Sequence, residues 1–334
     1  MKILAYSHRN DETEYFKKFS EKYNIEVMLT EKEPNMETAD LAKGFDCISI
    51  ITTSISKELL IKFKENGVKY ISTRTIGYDH IDIKNAKDIG MHVGNVNYST
   101  DSVADYTIMM MLMATRKIKL IMERSSTQDF SLGQVQGKEL HNLTVGVIGT
   151  GKIGKTVIKH LRGFECDILA YDIFENDEVK NMKPISENTK IEYTDFDSLI
   201  KNSDIITMHM PATESNYHMI NKETISKMKD GVFIINTARG SLIDTEDFIE
   251  GIEKKKIGGA AFDVIEKEAG LYYNDLKGEI LNNRDLAVLK SFPNVIVTPH
   301  TAFYTDQAVS DMVENSIKSC IAFMNNEENP WLVC

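Results

Sequence analysis

The most constraining feature of this chain is Thr144-Val-Gly-Val-Ile-Gly-Thr-Gly-Lys-Ile-Gly154. An apolar strand pattern runs into Gly-x-Gly-x-x-Gly, and a helical pattern follows over 155–161. Gly149 permits the tight turn, Gly151 lets backbone approach a pyrophosphate, and Gly154 allows close helix–strand packing. The start of the helix offers unpaired N–H groups and the positive end of its dipole to phosphates. A second strand pattern follows and ends in Asp172, 23 residues beyond Gly149. A carboxylate there accepts hydrogen bonds from an adenosine ribose diol and repels a 2′-phosphate, and Ile173 and Phe174 bring no arginine for such a phosphate. NAD is therefore expected, ahead of NADP. Two rivals are a turn needed only for packing and the nucleotide turn of a methyltransferase.

The surrounding pattern places this turn in an α/β chain. Its 334 residues suggest two domains. Strand signals at 2–6, 25–29, 47–51, 68–72 and 92–95 alternate with helical ones at 11–23, 56–66 and 82–89. A second series has strands at 144–148, 167–171, 205–208, 232–236, 259–262 and 295–298. Such alternation predicts parallel sheets covered on both faces. Between the series a long helix is expected over 101–124. Its run Ile108-Met-Met-Met-Leu-Met-Ala114 is apolar nearly all round, so it is expected to be buried. The polar stretch 175–192 reads as a surface loop with little regular structure. A last helix over 306–325 is expected to return to the first domain.

Composition removes several classes of function. The net charge of −11 argues against nucleic acid, whose phosphates need a basic surface, and against an anionic membrane face. The longest apolar stretches, such as 106–114, are too short to span a bilayer, and no secretory pattern opens the chain. The scattered cysteines Cys47, Cys166, Cys320 and Cys334 suit free thiols in a reducing cytoplasm. The eight histidines show no metal-ligand spacing, so no metal is expected.

Three chemically capable residues follow successive strand patterns. Arg239 stands in Asn236-Thr-Ala-Arg-Gly-Ser241, Glu268 in Asp263-Val-Ile-Glu-Lys-Glu268, and His300 in Thr298-Pro-His-Thr-Ala-Phe303. Ligands of open parallel sheets bind outside the carboxyl ends of the strands. Reduction of a 2-oxo acid needs a proton delivered to the carbonyl oxygen as hydride reaches its carbon, and histidine does this near neutral pH. A neighbouring carboxylate orients the imidazole and favours its protonated form. Arginine offers a planar fork that matches a carboxylate.

At these residues the chain resembles the D-isomer-specific 2-hydroxyacid dehydrogenases. The resemblance rests on Gly149-Thr-Gly-Lys-Ile-Gly154, His209-Met-Pro211, Asn236-Thr-Ala-Arg-Gly240, Phe262-Asp-Val264 and Thr298-Pro-His300. It is similar above all to the D-lactate dehydrogenase branch, with the vancomycin-resistance lactate dehydrogenases and clostridial aryl-lactate dehydrogenases, through stretches such as Tyr98-Ser-Thr-Asp-Ser-Val-Ala-Asp105. The resemblance implies Arg239 as substrate anchor, His300 as acid/base and Glu268 as its partner. It implies NAD contacts at Gly149, Gly151, Lys152, Ile153, Gly154, Asp172, Met210, Pro211, Asn216, Thr237, Ala238 and Asp263, the last on the nicotinamide amide or adjoining ribose. Backbone N–H groups of Ile76 and Gly77 would hold the substrate carboxylate, with Tyr98 and Tyr304 lining the site. Two departures are the bulky Ile76 before Gly77 and Asn97 in place of a usual proline. The implied architecture is two doubly wound parallel-sheet domains. A Rossmann NAD-binding domain (100–299) is inserted into a smaller flavodoxin-like substrate domain (1–99 and 300–334). Domain closure over the substrate and a homodimer built on the long helix are also implied.

The expected substrate is pyruvate, giving D-lactate, with aryl or branched-chain 2-oxo acids (to phenyllactate, indolelactate or 2-hydroxyisocaproate) as the alternative. The segment Ile51-Thr-Thr-Ser54 is expected to line the pocket without an aromatic plug, leaving room for more than a methyl group. An NAD-sensing regulatory protein is the alternative of another class.

Overall fold

The computed structural model describes residues 1–268 and 270–334. The chain divides into two compact units, Met1–Ser99 with Tyr304–Cys334, and Thr100–Phe303.

In the first unit, β1 (Lys2–Ala5), β2 (Glu26–Leu29), β3 (Cys47–Ile50), β4 (Tyr70–Thr73) and β5 (His92–Gly94) form a sheet in the order β2-β1-β3-β4-β5. Every pairing is parallel. β3 and β4 are buried at all positions, as strands covered on both faces require. Helices α1 (Thr13–Tyr23), α2 (Lys57–Glu65) and α3 (Ile83–Ile89) belong to this unit. So does the last helix, α12 (Asp306–Met324), whose Val313, Ile317 and Cys320 pack with Phe16 and Phe19. Strand order reverses between β1 and β3, so the carboxyl ends there open a crevice.

In the second unit, β6 (Thr144–Ile148), β7 (Asp167–Tyr171), β8 (Ile191–Tyr193), β9 (Ile205–Met208), β10 (Val232–Asn236), β11 (Ile257–Phe262) and β12 (Val295–Val297) form a parallel sheet. Its order is β12-β11-β10-β9-β6-β7-β8, with the switch point between β6 and β9. Around it lie α4 (Thr100–Thr115), α5 (Ile118–Ser126), α6 (Lys152–Leu161), α7 (Asp177–Lys180), α8 (Phe196–Asn202), α9 (Lys222–Lys227), α10 (Thr245–Glu253) and α11 (Arg284–Ser291).

The structure corrects three expectations. The helix expected over 101–124 is two helices. The Thr115 carbonyl accepts the N–H of Lys138 (3.0 Å), and Lys117 turns through the left-handed region at φ +54°. Lys119 then donates to the carbonyls of Lys290, Phe292 and Val295, fixing the new direction of α5. The run 108–114 is not buried all round, because Met109 is 39% exposed. The stretch 175–192 holds α7 and the start of β8. β8 is a three-residue edge strand whose central Glu192 is exposed, and so short a strand with a charged centre leaves little period-2 pattern to read.

A buried ion pair fixes the carboxyl end of β4. Arg74 follows β4 and donates from Nε to Glu12 Oε1 (2.8 Å), from Nη1 to Ser49 Oγ (3.0 Å) and from Nη2 to the Tyr6 carbonyl (2.9 Å). Neither charged side chain is exposed. Burial lowers the pKa of the guanidinium, and the adjacent Glu12 carboxylate opposes that shift. Removing one partner strands a buried charge. Glu12→Ala is expected to lower unfolding free energy by about 3–5 kcal/mol, and Glu12→Met with Arg74→Met to recover much of the loss. Denaturant midpoints of the three proteins test this, and an unchanged midpoint for Glu12→Ala rules it out.

Candidate active site

The cofactor turn is built by close backbone approach. Gly149 has φ +90°, and a Cβ there would lie 2.8 Å from the His209 carbonyl. A Cβ on Gly154 would collide with the Gly149 carbonyl oxygen. Gly151 is the opposite case, with no atom within 4 Å of where its Cβ would stand. It N-caps α6 without a side-chain hydrogen bond. The helix starts at Lys152, three residues before the sequence pattern, so Lys152, Ile153 and Gly154 supply the uncapped first turn. Asp172 is tied to this turn. Its Oδ2 accepts from Thr150 N (2.6 Å) and Thr150 Oγ1 (3.1 Å), and its Oδ1 from Phe174 N (3.1 Å). Open space over Gly151, uncapped helical N–H groups and an acid at the end of β7 fit a dinucleotide of the NAD type.

The neighbouring strand ends supply the other expected cofactor residues. Met210 and Pro211 follow β9, across the switch point from β6. Asn216 shapes the loop after them, donating to the Pro211 carbonyl (2.8 Å) and accepting from Thr213 N (2.7 Å). After β10, the buried Asn236 accepts from Ala238 N (2.9 Å) and donates to the Arg239 carbonyl (2.9 Å). It thus sets the turn carrying Thr237, Ala238 and Arg239. Thr237 Oγ1 meets Thr107 Oγ1 of α4 at 2.9 Å. Arg239 donates from Nη1 to the Ala238 carbonyl (2.8 Å).

Glu268 and His300 are brought together. Glu268 Oε1 lies 2.7 Å from His300 Nδ1, and Glu268 Oε2 accepts from Ile265 N (3.2 Å). His300 has φ +54°, a strained conformation for a residue with a Cβ. Asp263 holds it there. The fully buried Asp263 carboxylate accepts from Thr298 Oγ1 (2.6 Å), Thr301 N (2.9 Å) and Ala302 N (2.8 Å), and its backbone carbonyl accepts from His300 N (2.8 Å). Tyr273 donates its hydroxyl to the His300 carbonyl (2.7 Å). Sequence reasoning assigned Asp263 to the cofactor and missed this role, because nothing in Thr298-Pro-His-Thr-Ala302 ties those donors to residue 263.

In the first unit, the turn after β4 turns its carbonyls inward. Thr75 Oγ1 donates to the Gly77 carbonyl (2.6 Å), and Asn95 Nδ2 donates to that of Ile76 (2.8 Å). Among the described residues, the N–H groups of Ile76 and Gly77 have no hydrogen-bond partner. Asn97, where the family pattern has proline, accepts from Trp331 Nε1 (2.8 Å), and its backbone carbonyl accepts from Asn315 Nδ2 (2.7 Å). The next residue is Tyr98. Tyr304 is half exposed, and the guanidinium of Arg9 lies 5.6 Å from its ring centre.

Two predictions follow from this geometry. Asp263→Ala leaves three donors unmatched and releases the strained His300 backbone. Turnover is expected to fall about 100-fold or more, with a lower melting temperature. Near wild-type turnover would refute the role. His209, behind the glycine turn, is pushed down to about 3 by desolvation. Since a free imidazole titrates near 6.5, the contribution of His209 to stability is complete above that pH and is lost as pH falls toward 3. His209→Gln should therefore lose less melting temperature than wild type between pH 7.5 and 5, and an equal loss contradicts the assignment.

Residues 108–302 match the family described as "D-isomer specific 2-hydroxyacid dehydrogenase, NAD binding domain". The chain is 49% identical over 331 residues to an aromatic 2-oxoacid reductase of Clostridium sporogenes, covering 98% of this chain and 96% of that one. It is 38% identical over 322 residues to a D-lactate dehydrogenase of Lactiplantibacillus plantarum, covering 96% and 95%. Among solved structures it resembles the NAD-complexed D-isomer specific 2-hydroxyacid dehydrogenase of Lactobacillus delbrueckii ssp. bulgaricus, with TM-score 0.85, 29% identity and full coverage of both chains. A doubly wound domain with an NAD turn, whole-chain similarity to these enzymes and a matching family pattern agree: the chain belongs to the D-isomer-specific 2-hydroxyacid dehydrogenases and is an NAD-dependent oxidoreductase.

Proposed function

We propose that the chain reduces 2-oxo acids with large, above all aromatic, side chains to the (R)-2-hydroxy acids. The observation that carries the chemistry is the contact between Glu268 and His300 at the carboxyl edge of the NAD-binding sheet. NADH, when bound over the Gly151 turn, supplies the hydride. Lys152, Ile153, Gly154, Asp172, Met210, Pro211, Asn216, Thr237 and Ala238 hold it. His300 uses Nδ1 on Glu268 and delivers the proton to the substrate carbonyl oxygen from Nε2. Glu268 keeps the ring oriented for that transfer. Arg239 binds the substrate carboxylate and polarises the carbonyl. The family resemblance adds Ile76, Gly77, Tyr98 and Tyr304 of the first unit as substrate-binding residues.

For substrate size, two observations favour the aromatic class over pyruvate. The loop after β3 carries Thr52, Thr53 and Ser54, none large enough to fill a side-chain pocket. Identity to the aromatic 2-oxoacid reductase is 49%, against 38% to the D-lactate dehydrogenase. Pyruvate reduction is the second reading, supported by the latter similarity. The enzyme works as a homodimer in the cytoplasm, where it reoxidises NADH in fermentation. The exposed Met109 of α4 supports the dimer, and the four free cysteines support the cytoplasm.

The kcat/KM values for phenylpyruvate, indolepyruvate, 2-oxoisocaproate and pyruvate test the substrate. A highest value for pyruvate would overturn the aromatic assignment. His300→Ala is expected to lower turnover by about 10²–10⁴-fold while leaving NADH fluorescence titrations near wild type. Arg239→Ala should raise the KM for the oxo acid and lower turnover, again sparing NADH binding. Full activity in either variant removes that residue from the site. Sedimentation should give twice the chain mass of 37.9 kDa.

A further inference from the structure

A second histidine stands between two carboxylates near the carboxyl edge of the NAD-binding sheet. His218 Nε2 lies 2.7 Å from Glu266 Oε1, and its Nδ1 lies 3.0 Å from Asp244 Oδ2. All three side chains are largely buried, at 24%, 16% and 28% exposure. The other oxygen of Glu266 accepts from Thr245 Oγ1 (2.8 Å). The backbone of His218 is also held. It sits at φ +51°, its N–H donates to the Ser241 carbonyl (2.9 Å), and its carbonyl accepts from Asn221 Nδ2 (2.9 Å). Such a conformation persists in a residue with a Cβ only where its surroundings over-determine it.

This cluster joins three segments that matter to the proposed chemistry. One is the loop 210–219 with Met210, Pro211 and Asn216. Another is the turn 240–244 immediately after Arg239. The third is the segment 264–268, which ends in Glu268. Segment 264–268 needs an anchor, because Lys267 passes through φ +57° between Glu266 and Glu268. Gly240 is seated directly on it, where a Cβ would collide with the backbone of Ile265 and Glu266. The N–H of Ile265 is also the donor to Glu268 Oε2. The position of Glu268 against His300 therefore depends on where Glu266 is held.

We propose that His218 is a positioning residue for the reaction. By clamping Glu266 and Asp244 it fixes segment 264–268, so that Glu268 meets His300 Nδ1, and it locks the turn after Arg239 to the same support. The inference rests on the reading of His300 as proton donor and Glu268 as its partner. Asp244 is left out of the test because it also caps α10 through Asp247 N.

The test uses the full-length enzyme saturated with NADH, and follows single-turnover NADH oxidation by phenylpyruvate as a function of pH. The variants are His218→Ala, Glu266→Ala, His218→Gln and Glu266→Gln. The alanine variants are expected to slow hydride transfer about 10-fold or more, with KM changed less than about threefold. The alkaline limb of the rate should move to lower pH, because a misplaced Glu268 favours protonated His300 less well. The glutamine variants keep hydrogen-bonding groups at these positions and should recover most of the rate and the limb. An unmoved limb in all four variants, whether melting temperature falls or not, overturns the positioning role. Wild-type enzyme that reduced no 2-oxo acid would overturn the functional reading itself, whereas an active wild type with unaltered variants overturns only the role of His218.

Discussion

The active-site side of the NAD-binding sheet depends on a buried carboxylate with neutral partners. Asp263 has no exposure, and an anion so placed is tolerable only if its lone pairs are filled by donors. Its donors Thr298 Oγ1, Thr301 N and Ala302 N all come from the five residues after β12. Satisfying them wraps that segment round the carboxylate and holds His300 in a left-handed conformation. The anchor works because β11 and β12 end level. Phe262 and Val297 are register partners, and Thr298 N donates to the Phe262 carbonyl (2.9 Å). The residues just beyond the two strands thus start at the same height.

The same level edge continues across the sheet. The ends of β6, β9, β10, β11 and β12 follow one another in space, with β7 and β8 on the other side of β6. The glycine turn, the Met210–Pro211 step, the Thr237–Arg239 turn, Asp263 and His300 therefore share one edge. Close packing fixes the spacing at the switch point, where the Gly149 turn lies against the His209 carbonyl and α6 rests on the Gly149 carbonyl. Side chains larger than hydrogen at 149 or 154 would push α6 off the sheet, and the uncapped N–H groups would move with it.

Much of this was legible in the sequence, for physical reasons. Strands buried on both faces, such as β3 and β10, are mainly apolar, and their ends lie within two residues of the sequence reading. The glycine turn was readable because steric demands allow few other residues. What escaped depends on partners distant in the chain. The helix break at Lys117 is set by the N–H of Lys138 and by carbonyls near residue 290. Glu12 and Arg74 read as surface charges until the fold places them together. Glu266 and Glu268 are alike as loop acids, and the family resemblance alone gave Glu268 to His300. The structure agrees on Glu268, and it alone gives Glu266 to His218.

Solvation divides the labour among carboxylates. Glu12 is sealed with a guanidinium, so its charge is spent on holding the end of β4. Asp263 is sealed with neutral donors, so its charge is spent on shaping a loop. Glu268 differs from both. Its side chain is 29% exposed, and its imidazole partner is 27% exposed. A sealed pair cannot exchange a proton with substrate or water without stranding a charge, whereas a part-exposed pair can. The fully buried carboxylates are thus suited to geometry and the part-exposed one to chemistry. The proposed function accordingly assigns proton transfer to the pair whose surroundings tolerate either charge state.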